Sequence, residues 1–157
     1  MNEKIKIYEL LDDLSDVEWA REYFDFEQEI DFIDDIIRPE SERKVDIYND
    51  DLRDWAYDNE YAIDEYVEEY GYSDFYKNIQ GAQYMKHEEE LLRQLDDIKL
   101  SYAYAYLKRK GIEEIDDEQI NEIENFTTNT DNSSDIEKFC KENIIKESNV
   151  NIKTKKQ

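Results

Sequence analysis

The strongest hydrophobic pattern in this chain lies between residues 84 and 111. Large apolar side chains recur there at steps of three or four positions, which is the spacing of one face of an α-helix. The members of this stripe are Leu91, Leu95, Ile98, Tyr102 and Tyr106. Cations and then Gly111 follow the stripe, as is typical of a helix C-terminus. The pattern predicts one long central helix of about 40 Å, at ~1.5 Å per residue.

Shorter patterns predict two helices near the N-terminal end of the sequence. Ser15 and Glu18 match a capping box, which predicts a helix over residues 16–23. Isoleucines at helical spacing predict a second helix over 27–37. Pro39 is expected to end that helix, because the residue before a proline disfavours helical backbone.

Two more helices are expected in the middle of the chain. The first is capped by Asn49 or Asp50 and ends at Asp58. The second covers residues 61–70 and ends at Gly71, the residue type that most readily adopts the left-handed conformation after a helix.

The remaining segments complete the predicted fold. Acids at 116–118 indicate a helix that runs toward Phe126, whereas residues 127–134 have the composition of a linker. Residues 3–9 alternate charged and apolar side chains, which fits either a short strand or the start of a helix. We therefore predict an all-α protein, with a compact acidic helical domain over residues 1–126. A flexible, near-neutral tail with one short helix is expected over 127–157.

The charge of the chain is large and unevenly distributed. It has 43 Asp and Glu against 20 Lys and Arg, for a net charge of −23. Residues 1–80 hold 26 of the acids and 8 of the bases, whereas residues 127–157 hold 5 acids and 6 bases. Such an imbalance opposes folding through self-repulsion, so we expect the charge to serve a partner that normally binds polyanions. Direct binding to nucleic acid or to an anionic membrane is not expected.

Other compositional features concern location and order. Aromatic residues make up 13% of the chain, unlike the composition of disordered acidic tails. Cys140 has no second cysteine to pair with, which suits a reducing compartment. No apolar run approaches the ~18 residues of a membrane span. These features predict a soluble, cytoplasmic protein.

The usual signatures of catalysis are mostly missing. His87 is the one histidine and is expected on a helix surface. The run from Asp50 to Asp54 matches an Asp-Asp-x-x-Asp metal motif, but such spacings arise by chance in so acidic a chain. Glu65 and Glu68 resemble half of the metal site of small all-α nucleotide pyrophosphohydrolases. We therefore expect no catalytic residue, no metal and no cofactor, and we keep such a hydrolase as an alternative.

The acids themselves form rows at helical spacing. Side chains three or four positions apart on a helix are neighbours, and like charges there cost a few tenths of a kcal/mol each. The rows are therefore expected to form an outward-facing, partner-binding surface. Its predicted members are Asp31, Asp34, Asp35, Asp51, Asp54, Asp58, Asp64, Glu65, Glu68 and Glu69.

Two stretches of the chain resemble a known family. Residues 45–52, Val-Asp-Ile-Tyr-Asn-Asp-Asp-Leu, are one of them, and residues 78–84, which lead into Glu88–Glu90, are the other. Both look like collinear stretches of the phage Ocr ("overcome classical restriction") proteins, over about residues 15–107. That resemblance implies an acidic all-α homodimer that imitates bent DNA and occludes type I restriction–modification enzymes. The near-neutral segment after Phe126 departs from the family pattern.

The sequence thus predicts a DNA-mimic inhibitor without enzymatic activity. Its expected partner is a DNA-binding host defence protein, namely a restriction–modification enzyme. An anti-CRISPR protein that blocks DNA recognition by a nuclease is an alternative with the same physical basis. The hydrolase remains the alternative from a different class of function.

Overall fold

The computed structural model of this protein describes residues 3–47, 58–71 and 85–146. The predicted all-α class is confirmed, because helices dominate these ranges and the strands in them form one short two-stranded sheet. The chain separates into two compact units. Unit one comprises Met1–Ile36 and Gln94–Gln157, and unit two comprises Ile37–Arg93. The composition change after residue 126 lies within unit one.

The sheet answers the question that residues 3–9 left open, because they contain both a strand and the start of a helix. Strand β1 (Lys4–Lys6) pairs antiparallel with strand β2 (Glu114–Asp116). Ile5 lies opposite the fully buried Ile115, and the flanking lysines lie opposite acids. Helix α1 (Ile7–Asp13) begins directly after β1 and buries Ile7 and Leu11, four positions apart on one face.

The capping box predicted at Ser15 is wrong. Residues Ser15–Tyr23 form a 3-10 helix that starts after Leu14 without a side-chain cap, and its backbone kinks at Val17. Tertiary contacts account for this tighter geometry. The guanidinium of Arg21 donates to the backbone oxygen of Leu11 at 2.6 Å and to the hydroxyl of Ser101 at 3.0 Å. Holding those partners outweighs the local preference for an α-helix.

The helix predicted over 27–37 forms only in its second half. Backbone amides in its first half bond across unit one instead. Ile30 N donates to Ser133 Oγ at 2.8 Å, and Phe32 N donates to the backbone oxygen of Asp131 at 3.1 Å. Asp31 and Asn132 form an isolated antiparallel bridge. These long-range bonds use amide groups that a regular helix would need, so the helical turns begin only after this bridge.

Pro39 does not end the helix as the sequence predicted. A π-turn over Ile33–Ile37 leads directly into helix α2 (Arg38–Ile47), whose second residue is Pro39. Proline is tolerated in the first turn of a helix because its missing N–H is not needed there.

Helix α3 (Glu60–Tyr70) confirms the fourth predicted helix. Gly71 ends it with a φ of 90°, and Gly71 N donates to Val67 O at 2.9 Å. Residues 85–92 form helix α4. His87 lies on α4 but is only 8% exposed, so the predicted surface position is wrong. Its Nδ1 lies 3.8 Å from Glu90 Oε2.

The central helix of unit one is shorter than predicted. Helix α5 (Leu95–Arg109) has 15 residues, or about 22 Å. A turn at residues 93–94 separates it from α4. The side-chain oxygen of Gln94, the residue before α5, accepts a bond from the indole of Trp19 at 3.2 Å. The predicted C-terminus is confirmed, because Gly111 follows the helix with a φ of 90°.

Aromatic side chains pack around Tyr102 at the middle of α5. Phe26 stacks on its ring with a centroid distance of 5.1 Å, and Phe24 and Phe32 meet it edge-on at 5.0 and 5.5 Å. The hydroxyl of Tyr102 donates to Glu137 at 2.8 Å. This cluster is the aromatic part of the core of unit one, which also contains buried aliphatic side chains such as Ile98 and Leu107.

The segment after β2 is helical. Helix α6 (Asp117–Thr127) starts at a complete capping box between Asp116 and Gln119. Helix α7 (Ser133–Cys140) and a π-turn over Lys141–Ile145 follow. The short helix expected within residues 127–157 is therefore confirmed. Ile136 and Cys140 of α7 and Ile144 of the π-turn are fully buried, and α7 packs against α5.

The predicted helix over residues 49–58 lies almost wholly outside the described ranges. Among the helices that the structure describes, none combines the length and the apolar character that a membrane span requires.

Candidate partner-binding surfaces

Helix α3 carries the densest group of predicted site residues. Asp64, Glu65, Glu68 and Glu69 are all exposed. Ile63 is buried and Val67 half-buried, so the apolar face of the helix is separate from the acids. Asp58, just before the helix, is also exposed. Asp51 and Asp54 lie outside the described residues.

The charges on α3 are not neutralised locally. Helix α3 contains no Lys or Arg, and none of its four exposed acids forms an ion pair with a described residue. Glu68 and Glu69 lie in the last turn, where the macrodipole disfavours negative charge. Each such placement costs a few tenths of a kcal/mol. The helix thus holds carboxylates where its own stability gains nothing from them.

The second predicted row, on unit one, has a different role. Oδ1 of Asp31 accepts bonds from the backbone amides of Ile33 at 3.0 Å and Asp34 at 2.9 Å. Oδ2 of Asp35 accepts from the amide of Asp31 at 2.8 Å. These carboxylates accept bonds from amide groups at the start of the helical segment, where the first turn of a helix supplies no backbone acceptor. Asp34 and Asp35 are exposed, and Asp31 is half-buried.

Asp131 joins this row although the sequence analysis missed it. The backbone pairing of Phe32 with Asp131 and of Asp31 with Asn132 brings the two segments together. The Asp131 side chain is 73% exposed, and one of its oxygens lies 3.4 Å from the ammonium of Lys99, whose side chain is only 4% exposed. One hundred positions separate Asp31 from Asp131, so helical spacing alone gave no signal for this neighbour.

A third acidic region, also missed, follows β1. Six acids on α1 and the 3-10 helix are exposed: Glu9, Asp12, Asp13, Asp16, Glu18 and Glu22. Arg21 is the one cation between residues 7 and 37, and its guanidinium bonds to Leu11, Leu14 and Ser101. That cation is used inside the fold rather than against the surface acids. The near-absence of bases from this segment was the sequence signal that could have revealed it.

The described residues offer little to a metal or a nucleophilic reaction. No group of three or more His, Cys, Asp or Glu side chains among them is arranged to hold a metal ion. Glu65 and Glu68, the half-motif of the hydrolase alternative, both point to solvent. Burial raises the pKa of the Cys140 thiol to about 12, which keeps it protonated at neutral pH.

One open groove lies on unit one, between the C-terminal end of α6 and the helical segment that starts with α7. Its volume is about 410 Å³. Phe126 and Phe139 contribute a stacked pair of rings, with centroids 4.4 Å apart and planes 10° from parallel. Asp135, Lys138 and Glu142 supply the charged groups of its lining.

Comparisons with known proteins add no family to these observations. No protein-family model, no curated protein and no solved structure matches this chain. The two stretches that resemble the Ocr family, residues 45–52 and 78–84, lie mainly outside the described residues. The surface of α3 is therefore the structural feature on which a functional proposal rests.

Proposed function

We propose that this protein is a DNA mimic that inhibits a host defence enzyme by occupying its DNA-binding groove. The observation that carries the proposal is the exposed row of four carboxylates on α3, in a helix without a single cation. A restriction–modification enzyme is the first expected target. A CRISPR nuclease presents the same kind of cationic groove and is the alternative.

The charge density of α3 supports this proposal. Asp64 to Glu69 place four carboxylates on about 7.5 Å of helix axis, or one charge per ~2 Å. Duplex DNA carries one charge per ~1.7 Å of its axis. A groove lined with Lys and Arg would meet a similar field from either surface. Association would release counterions and would weaken as salt concentration rises.

The first experiment identifies the target. The tagged protein is incubated with host lysate at low salt, with and without an excess of duplex DNA, and retained proteins are identified. We expect a DNA-binding defence enzyme that DNA displaces and that is lost between roughly 50 and 200 mM salt. Retention that neither DNA nor salt affects would show that the acids are not mistaken for phosphates.

The second experiment uses a matched pair of variants on that enzyme. The test variant combines Asp64→Asn, Glu65→Gln, Glu68→Gln and Glu69→Gln. The control removes the same charge from exposed acids elsewhere, through Glu3→Gln, Glu113→Gln, Glu118→Gln and Glu124→Gln. Inhibition of DNA cleavage should fall at least tenfold more in the test variant. Equal losses would assign the effect to net charge, and the site on α3 would be wrong.

The hydrolase alternative makes a different prediction. It requires Mg²⁺-dependent release of pyrophosphate from nucleoside triphosphates, and a variant with Glu65→Gln and Glu68→Gln would abolish it. Turnover of nucleotide by the purified protein would replace our proposal with this one.

A further inference from the structure

The groove on unit one has an aromatic floor that is accessible to a ligand. Phe126 and Phe139 are both half-buried, their rings stack on each other, and both residues line the groove. Aromatic faces carry a negative quadrupole, which favours a planar cation laid over them. The floor alone does not identify a ligand, because the polar groups around it also determine what can bind.

The two asparagines of the lining can offer carbonyl acceptors to a ligand. Asn129 Nδ2 donates to the backbone oxygen of Asn125 at 2.8 Å, and Asn143 Nδ2 donates to that of Phe139 at 3.0 Å. One of the two N–H donors of each amide is thus used by the backbone. Each side chain can still offer its carbonyl oxygen as an acceptor to a ligand, beside its second N–H.

The charged groups of the lining add further acceptors. Asp135 uses one carboxylate oxygen to accept a bond from the Thr130 hydroxyl at 3.3 Å, which leaves the other for a ligand. Glu142 is exposed and lies seven positions, about two helical turns, beyond Asp135. Lys138 lies between them in sequence and is the single cation of the lining, so the groove has a net charge of −1.

We propose that this groove binds an arginine side chain of a partner protein. A guanidinium is planar, stacks on aromatic faces and has five N–H donors, which match a ring floor surrounded by carboxylate and amide oxygens. A lysine ammonium provides charge without the planar face. Several arginines of this chain are already engaged within their own unit, which favours a different protein over a second copy. Examples are Arg21 with Ser101, Arg43 with Glu40, and Arg109 over Phe26.

This inference does not depend on the proposed function. The acids of α3 would attract a cationic groove through their local charge density, whereas the groove on unit one selects one side-chain shape. A partner rich in arginine, as DNA-binding proteins are, would satisfy both surfaces. Either proposal can fail while the other holds.

Nuclear magnetic resonance titration of the whole protein tests the groove. The probes are N-acetyl-arginine amide and N-acetyl-lysine amide, at equal ionic strength. We expect chemical-shift changes centred on Asn129, Phe139 and Asn143, and an affinity for the arginine probe at least threefold higher. Equal affinities, or changes spread over all acidic surfaces, would overturn the proposal. Concentration-dependent shifts at the groove without any probe would also overturn it, by identifying a second copy as the occupant.

Variants sharpen the same measurement. Glu142→Gln and Phe139→Leu should each weaken arginine binding about threefold or more, while Lys138→Gln should strengthen it. Glu118→Gln removes the same charge from an exposed position on α6 outside the groove lining, and it should leave the affinity unchanged. The spectrum of each variant shows directly whether it is folded. If Phe139→Leu and Glu118→Gln have the same effect, general electrostatics and not the groove binds the probe.

Discussion

Two acidic rows in this protein have nearly the same spacing in sequence and different physical roles. On α3, Glu65, Glu68 and Glu69 are exposed and form no ion pair with a described residue. On unit one, Asp31 and Asp35 accept backbone amide bonds at the start of a helical segment. The comparison teaches that a charge pattern does not reveal whether a carboxylate stabilises the fold or opposes it. Only its hydrogen-bond partners do.

The largest effect that we predict is alkaline unfolding of unit one. Burial raises the pKa of Tyr106 to about 12, and it raises the pKa of Tyr102 and of Tyr104 even further. A tyrosine whose pKa is higher in the folded protein stabilises the fold. That stabilisation is complete below the unfolded-state pKa of 10, and it is lost as pH rises through the folded-state pKa. Unit one should therefore lose stability progressively above pH ~10.

Urea unfolding at pH 8, 10 and 11.5, followed by the fluorescence of Trp19 and Trp55, measures this loss. The variant Trp55→Phe restricts the signal to Trp19 in unit one. An unchanged free energy of unfolding at pH 11.5 would contradict the assigned burial of these phenols.

The next largest effect concerns the single cation of the N-terminal acidic region. Arg21→Met keeps the aliphatic stem but removes bonds to Leu11, Leu14 and Ser101. Because buried acceptors lose a charged donor, the free energy of unfolding should fall by about 2–4 kcal/mol. Lys108→Met, an exposed cation at the end of α5, should change stability by less than ~0.5 kcal/mol. If the two substitutions cost the same, Arg21 acts by charge and not by its bonds.

A smaller effect separates the two acidic rows directly. Asp31→Ala removes the carboxylate that accepts from two amides, and it should destabilise the protein by about 1–2 kcal/mol. Glu29→Ala, an exposed acid two residues earlier, serves as the control and should be near neutral. Thermal unfolding followed by circular dichroism is sufficient to compare them. A neutral Asp31→Ala would mean that this row is as dispensable to the fold as the row on α3.

The smallest effect has the opposite sign. Glu68→Gln and Glu69→Gln relieve repulsion in the last turn of α3, so each should raise stability by a few tenths of a kcal/mol. The gain should shrink at high salt, because exposed charges are screened. A loss of stability would show that these carboxylates interact favourably with other groups of this chain. The proposal that they serve to bind another protein would then be weaker.

The sequence was most informative where one local rule governed a segment. The apolar stripe through Tyr102 and Tyr106 located α5, and Gly71 and Gly111 marked two helix ends. The prediction was poorest where distant segments compete for the same backbone groups. The amide of Ile30 bonds to a side chain 103 positions away, and no periodic pattern carries that information.

The candidate site shows the same difference between features that local spacing predicts and features that depend on distant residues. The row on α3 was visible as spacing, and its acids are exposed in the structure; their role in binding a partner stays a prediction. Asp131 and the six acids after β1 were missed. Asp131 meets the predicted row through the bridge between Asp31 and Asn132, and the six acids lie partly on a 3-10 helix that the pattern described as an α-helix.

By itself, the sequence determined the helical class, several helix ends and the negative charge of the surface. These follow from hydrophobic periodicity, the backbone freedom of glycine and composition, respectively. Tertiary structure alone decided that the helical segment passes through Pro39, that β1 pairs with β2, and that Arg21 faces inward. The physical reason is that a local preference is worth about 1 kcal/mol or less per residue. A buried bond or a packed ring contributes as much or more and depends on residues far away in the chain.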